Sequence, residues 1–474
     1  MGRNATINIA NETGYALSYV SHNIEHGKFN EDPPSNIGVG ETKTFKVGNK
    51  TGAKIGPKGS VTYRLNLTSE ISVDLVFYWD HPFGHTSSSY EMGSIPDWFS
   101  SYYLDPSNPT GHDQTVTFHT RLNDYGFDPK NWMSNLQGST NLRKIVIPGS
   151  HDSGTYEITP SSYLCLDADN QILVFASNVG IASQWAKAQS NSILSQLNSG
   201  RRYFDIRISD GYYSGLVIKD LSINNVVGSP IVCHSVGVTP PSSILDDIKQ
   251  FISSNPKEII ILNFQHFYHK QEDATDFYND LITQIKSKLG SKIIERSTFG
   301  EKIENLTLQR LWDNGSQVLI LFDKDHKVEK TLSPEDGTIF KDAYETIYNN
   351  ETAIWSANDF MSNIWPKASS TDALKTKLKD IVSNEMPGTD KLFVLQGVVT
   401  PNNNMYLNAI SGGLPKSLEE LGNQVTPNVE SWVVNDWVDK DLNIIMCDWV
   451  SNSIITQLCY LINKKRKLSP VAND

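Results

Sequence analysis

From Phe118 onward, short apolar runs alternate with longer stretches whose apolar residues recur every third or fourth position, and that alternation leaves few folds open. The runs are KIVIP, YFDIRI, PIVCH, EIIILNF, SQVLILF, KLFVLQG and NIIMCD. Near-continuous apolar strands of this kind belong to a sheet buried on both faces, which means a parallel sheet covered by helices. The intervening stretches supply the helices. In PSSILDDIKQFISSN, Ile244, Leu245, Ile248, Phe251 and Ile252 share one face, with Ser242 or Ser243 as the expected cap. DFYNDLITQIKSKLG aligns Phe277, Leu281, Ile285 and Leu289, and Gly290 is placed to stop it. SNSIITQLCYLIN repeats the pattern at the end of the chain. So many runs suit an α/β fold of the (β/α) TIM-type barrel, irregular in outline, better than a small open sheet.

Residues before this alternation follow another pattern. TINIANETGYALSYVS, VTYRLNL and ISVDLVFYWD are short, rich in β-branched and aromatic residues, and punctuated by Gly, Pro and Asn. They predict an all-β sandwich over residues 1–122, followed by the barrel over 123–474.

Charge and composition exclude several classes. A net charge of -12 and a pI near 5.4 do not supply the basic footprint that a nucleic-acid backbone demands. No apolar run approaches the roughly 20 residues of a membrane-spanning helix, so membrane contact is expected to be peripheral. Cys165, Cys233, Cys447 and Cys459 are scattered without a paired motif, which indicates buried thiols rather than a zinc site or a disulfide framework. MGRNATINIA lacks the basic start and apolar core of a secretory signal, and a cytoplasmic or leaderless secreted protein is expected. Oligomeric state is not legible.

In a barrel the active site gathers at the C-terminal ends of the strands, so polar residues that terminate apolar runs become candidates together. KIVIP leads to His151 and Asp152, YFDIRI carries Asp205 and Arg207, SPIVC ends at His234, and NIIMC ends at Asp448. Two imidazoles, a guanidinium and carboxylates suit phosphoryl transfer without metal or cofactor. A neutral imidazole takes a hydroxyl proton and a protonated one delivers a proton to a leaving oxygen. A carboxylate on the far ring nitrogen fixes the tautomer. Arg207 offers a fixed fork of donors to the nonbridging phosphate oxygens. A metal hydrolase built on His151, Asp152, His234 and Asp448 is disfavoured, because Arg207 would stand against the cation.

IPGSHDSGTY, then RYFDIRI, CHSVGV and EIIILNF, preceded by NWMSNL and closed by NIIMCDWVSNSIITQLCYLIN, resembles the X-domain of phosphatidylinositol-specific phospholipases C, closest to the bacterial, metal-independent type. The resemblance implies His151 as the base acting on the inositol 2-hydroxyl and His234 as the acid for the departing diacylglycerol. It implies Asp448 orienting His151, Asp152 supporting Arg207 or His234, and Arg207 in place of calcium. Diacylglycerol and a cyclic inositol phosphate are the implied products. The chain departs from the bacterial pattern in carrying Asn263, Gln265 and His266 where a Lys and a Glu are usual, so Asn263, Gln265 and Trp365 are the expected substrate contacts.

The first domain, through IEHGKFNEDPPSNIGVGETKTF, IGPKGSVTYRL and SVDLVFYWDHPFGHTSS, resembles the β-sandwich modules of aegerolysin- and actinoporin-type cytolysins. IPDWFSSYYLD clusters Trp98, Phe99, Tyr102 and Tyr103 with little strand alternation, and amphipathic rings favour a membrane interface. The expected partner is therefore an inositol phospholipid in a membrane surface. The alternative is a lipid-binding or membrane-damaging protein whose barrel has little or no turnover.

Overall fold

The structure, a computed structural model, describes residues 3–67, 72–84, 87–93, 100–122, 124, 127–165, 179–210, 212–213, 226–227, 231–234, 236–269, 275–324, 326–328 and 337–468. It divides into two compact units, Met1–Phe127 and Asp128–Asp474.

Period-two alternation builds the first unit. In KGSVTYRLN, Lys58–Asn66, the buried residues are Gly59, Val61, Tyr63 and Leu65. Leu75, Phe77 and Trp79 do the same in Ser72–Asp80. These strands sit in an antiparallel sheet ordered 36–37, 17–26, 58–66, 72–80, 89–93. The second sheet is ordered 28–31, 42–48, 4–11, 113–122, 100–105, and Asn4–Asn11 runs parallel to Asp113–Leu122. The inner faces meet through Phe77 and Phe118, with ring centroids 5.2 Å apart, and through Phe45 and Trp79 at 5.6 Å. The YYLD segment departs from the sequence reading. Ser100–Asp105 is a strand paired with Thr117–Leu122, because the edge of Asp113–Leu122 needs backbone partners whatever the side-chain pattern.

The second unit is a nearly closed parallel barrel. Its strands are β1 (Ile147–Ser150), β2 (Tyr203–Ser209), β3 (Ile260–His269), β4 (Val318–Phe322), β5 (Ile354–Ser356), β6 (Met361–Ser362), β7 (Leu392–Gly397) and β8 (Ile444–Cys447). The ladder runs β6-β7-β8-β1-β2-β3-β4-β5, all parallel. Among the described residues no ladder joins β5 to β6; one short helix, Ala357–Phe360, connects them. Helices Pro241–Ser254 and Thr275–Leu289 press Ile244, Leu245, Ile248, Phe251, Leu281 and Ile285 onto the outward faces of β2, β3 and β4.

Two expectations need correction. PIVCH is not a barrel strand: Ile231–His234 runs antiparallel to the end of β2, Val232 opposite Ile208. β1 covers only Tyr203 and Phe204, so the edge of β2 beyond them requires another partner, and an incoming arm satisfies it without a crossover. Neither Ser242 nor Ser243 caps the following helix. It starts with Pro241 in its first turn after Pro240, a position where the missing N–H costs nothing.

Candidate active site

β1 reaches the mouth through a close approach. A side chain at Gly149 would place its Cβ 2.8 Å from Cδ1 of Tyr203, so this position admits only glycine without movement of β2. Successive strand residues point to opposite faces, yet His151 and Asp152 both belong to the mouth. The chain manages this by leaving β geometry: Asp152 has φ 42°, a left-handed conformation that Asp tolerates better than most residues. A similar turn follows β8, where Trp449 has φ 47° behind Asp448. Gln189 ties the two strand ends together by donating to the carbonyls of His151 and Cys447 at 2.9 and 3.1 Å.

Around this corner the charged groups converge on the Asp152 carboxylate. Oδ2 lies 3.2 Å from Nε2 of His151 and 3.4 Å from Nε2 of His234, and Oδ1 lies 2.8 Å from Nε of Arg207. Asp448 Oδ1 takes the other ring nitrogen of His151, Nδ1, at 2.8 Å. An Arg207 terminal nitrogen approaches Nε2 of His151 at 3.2 Å. His234 Nδ1 is 2.7 Å from the carbonyl oxygen of Ala186, so both of its ring nitrogens face acceptors.

Electrostatics follow from burial against charge. Burial opposes the imidazolium at His151, but Asp152 and Asp448 outweigh it and raise the group to about 9. Burial also opposes ionisation of Asp152, while Arg207 and then the two imidazoles hold it down at about 2. Asp205 moves the other way, pushed up by burial and by the neighbouring Asp152 charge.

Asp205, named among the strand-end candidates but given no role there, also belongs to this cluster. It accepts from the Asp152 backbone N–H at 3.2 Å and lies 3.8 Å from Nε2 of His151. Its spacing of two from Arg207 on one strand was the available signal. Gln265, opposite Arg207, donates to Asp205 and accepts from Asn363 at 3.2 Å; Asn363 in turn accepts from Gln396 at 2.6 Å. No local pattern announces Asn363 or Gln396. Asn263 sits one inward step deeper, donating to the Tyr203 hydroxyl at 3.0 Å. Trp365 tilts over His151 with ring centroids 5.5 Å apart. His266 occupies a bulge in β3, where the register shifts after Arg207, with φ 56°. Of the aromatic cluster Trp98, Phe99, Tyr102 and Tyr103, the first two lie outside the described residues. Tyr103 stacks on His119 at 4.3 Å, and Tyr102 is 5.9 Å from Phe118.

His151, Asp152 and Asp205 also bring one ligand atom each to within 4.8 Å of one another, a spacing that a cation could bridge. The Arg207 guanidinium contacts two of these three residues, so a dication would meet a fixed positive charge.

The chain is similar to several known proteins. No family model matches the chain. It is 26% identical over 364 residues to a PI-PLC X domain-containing protein of Dictyostelium discoideum, covering 69% of this chain and 56% of that one. With PI-PLC X domain-containing protein 3 of Mus musculus it shares 23% over 346 residues, 70% of this chain and 94% of the relative. This chain is similar to the PI-PLC X domain proteins. It spans little more than half the length of the Dictyostelium X-domain protein. The phosphatidylinositol-specific phospholipase C from Listeria monocytogenes aligns over 71% of this chain and 98% of its own, at 20% identity and a TM-score of 0.43.

Proposed function

We propose that the chain is a metal-independent phosphatidylinositol-specific phospholipase C. The observation that carries this reading is the sharing of one carboxylate, Asp152, by His151, His234 and Arg207. Two imidazoles and a guanidinium thus lie within 3.4 Å of one carboxylate, a grouping that supports acid–base chemistry at a phosphate.

In the proposed reaction His151 Nε2 accepts the proton of the inositol 2-hydroxyl, and Asp448 stabilises the resulting imidazolium through Nδ1. The freed oxygen forms a bond to the adjacent phosphorus as the bond to the diacylglycerol oxygen breaks. His234 gives its Nε2 proton to that departing oxygen, and the Ala186 carbonyl holds the ring through Nδ1. Arg207 neutralises the charge that grows on the nonbridging oxygens, and Asp152 fixes the guanidinium. Products are diacylglycerol and a cyclic inositol phosphate. Gln265, Asn263 and Trp365 line the headgroup side in this reading. Gln265 and Asn363 offer uncharged amides there.

The test is hydrolysis of phosphatidylinositol vesicles in EDTA. Retained turnover supports the role given to Arg207, and activity that appears only with a divalent ion refutes it. Vesicle leakage that persists in a His151→Ala, His234→Ala double variant would favour a membrane-damaging protein instead.

A further inference from the structure

Four consecutive residues, Ala186 to Gln189, touch the surroundings of both proposed proton-transfer groups. They leave the last turn of the helix Val179–Ala186, where backbone carbonyls find no partner within the helix. Here the site supplies the partners. The Ala186 carbonyl faces Nδ1 of His234 at 2.7 Å, the Lys187 carbonyl accepts from the Trp449 indole at 3.1 Å, and the Ala188 carbonyl accepts from the Trp449 backbone N–H at 2.9 Å. The Ala188 N–H donates to the Thr155 hydroxyl at 3.0 Å, and that hydroxyl donates to the Asp152 carbonyl at 2.8 Å.

Gln189 completes the segment. The ladder between β1 and β8 runs out where the His151 N–H donates to the Cys447 carbonyl at 3.1 Å, and both chains then turn left-handed, at Asp152 and Trp449. The His151 and Cys447 carbonyls converge on one atom, Nε2 of Gln189, at 2.9 and 3.1 Å, while Oε1 of Gln189 accepts from the Val450 N–H at 3.2 Å. Among side chains only a primary amide carries two donors on one nitrogen with an acceptor beside it, and this one is 1% exposed. The 2.8 Å contact of His151 with Asp448 is made by side chains on the two strand ends joined in this way.

We infer that Gln189 is a positioning residue for the proposed reaction: it holds Asp448 in line with His151 and, through the backbone of Ala188 and Lys187, ties that alignment to the Ala186 carbonyl on which His234 rests. The inference takes its consequence, though not its geometry, from the phospholipase reading. One short element sets the placement of base and acid together, so a slip at Gln189 is felt at both. The charged groups facing His151 are Asp448 on the Nδ1 side and Asp152, Asp205 and Arg207 on the Nε2 side, with the His234 ring centroid at 6.2 Å. Of these, Asp448 follows β8, so loosening the clamp between β1 and β8 weakens its hold on the imidazolium first.

Gln189→Met keeps the length of the side chain and removes its donors and acceptor. In the full chain, the titration midpoint of His151, read from its imidazole nitrogen shifts, should fall by about 0.5 pH unit or more toward neutrality. The His234 imidazole shifts should change with it, and turnover of phosphatidylinositol vesicles should drop about 10- to 100-fold. Gln317 is the control for loss of a buried amide: it is 1% exposed and donates to the carbonyls of Asn255 and Glu258 at 2.9 and 3.1 Å, at the N-terminal end of β4. Gln317→Met should lower the unfolding temperature as Gln189→Met does and leave both sets of shifts and turnover in place. Thr155→Val, which cuts the tie between Ala188 and Asp152, should move the His151 midpoint in the same direction, and it takes the place of Gln189→Met if that variant does not fold. A His151 midpoint or His234 shifts that stay in place in the folded variant, or changes of equal size in Gln317→Met, overturn the inference. Shifts that move as expected in a protein whose wild type cleaves no phosphatidylinositol support the clamp and refute the phospholipase reading, which keeps the two failures apart.

Discussion

Asp448→Asn isolates what one carboxylate does for the proposed base. In the wild type the rise of His151 from its ordinary 6.5 to about 9 corresponds to about 3 kcal/mol in favour of the imidazolium. Burial works against that rise, so Asp152 and Asp448 together supply more than the net value. Removing the charge 2.8 Å from Nδ1 should return at least half of it, lowering the group by about one to two pH units. A base must be neutral to act, so kcat/KM climbs as pH rises through the value for His151. The wild-type profile should have its lower limb near 9, and the variant's limb should move toward neutrality. The rate at the plateau should fall by about 10²–10⁴, because the new amide can turn its N–H toward Nδ1 and leave the proton on Nε2. Stability gives the opposite sign. His151 is protonated more readily in the folded than in the unfolded chain, so its contribution is full below pH 6.5 and disappears as pH climbs through about 9. Unfolding temperature should therefore drop less over that window in the variant. A lower limb that stays in place, checked by the imidazole nitrogen shifts of His151, would refute the account of the base.

His234→Ala should slow cleavage of phosphatidylinositol by about 10²–10⁴ but far less with an aryl leaving group, which needs no proton; equal losses on both would remove His234 as the acid. Gly422→Ala would drive a methyl to 2.8 Å from the Trp449 ring and 3.2 Å from Cβ of Asp448. A loss of about 1–3 kcal/mol by denaturant unfolding and a lower kcat are expected, and neither should occur if the loop behind Asp448 yields freely. Arg202 and Glu258 form a fully buried pair at 2.7 Å, so Arg202→Ala should cost roughly 3–5 kcal/mol in calorimetry, and a small cost would show that the pair is dispensable.

Periodicity made the barrel legible because β2, β3, β4, β7 and β8 are long or apolar enough to stand out between helices. It failed at β5 and β6, whose three and two residues are too few to carry a period. It also could not show direction. PIVCH reads like a buried strand whichever way it runs, and the open edge of β2 that decides the matter is a tertiary fact. His151, Asp152, Arg207 and Asp448 were visible because polar residues ending apolar runs collect at one mouth. Asn363 and Gln396 were not, since their relay to Gln265 crosses elements that are distant in sequence.

Among the described residues the β5–β6 margin is the one place where neighbouring barrel strands share no ladder. His151, Arg207 and Asp448 stand on or just after β1, β2 and β8, each held in register by its neighbours, and His234 stands on the arm paired with β2. Asn363 and Trp365 follow β6 immediately, so that margin is closed across the mouth by side chains, Asn363 on Gln265 and Trp365 on His151, rather than by a ladder. On the proposed phospholipase reading, side-chain substitutions at this margin would alter the fit of a headgroup while the backbone ladder keeps the spacing of the reacting atoms elsewhere.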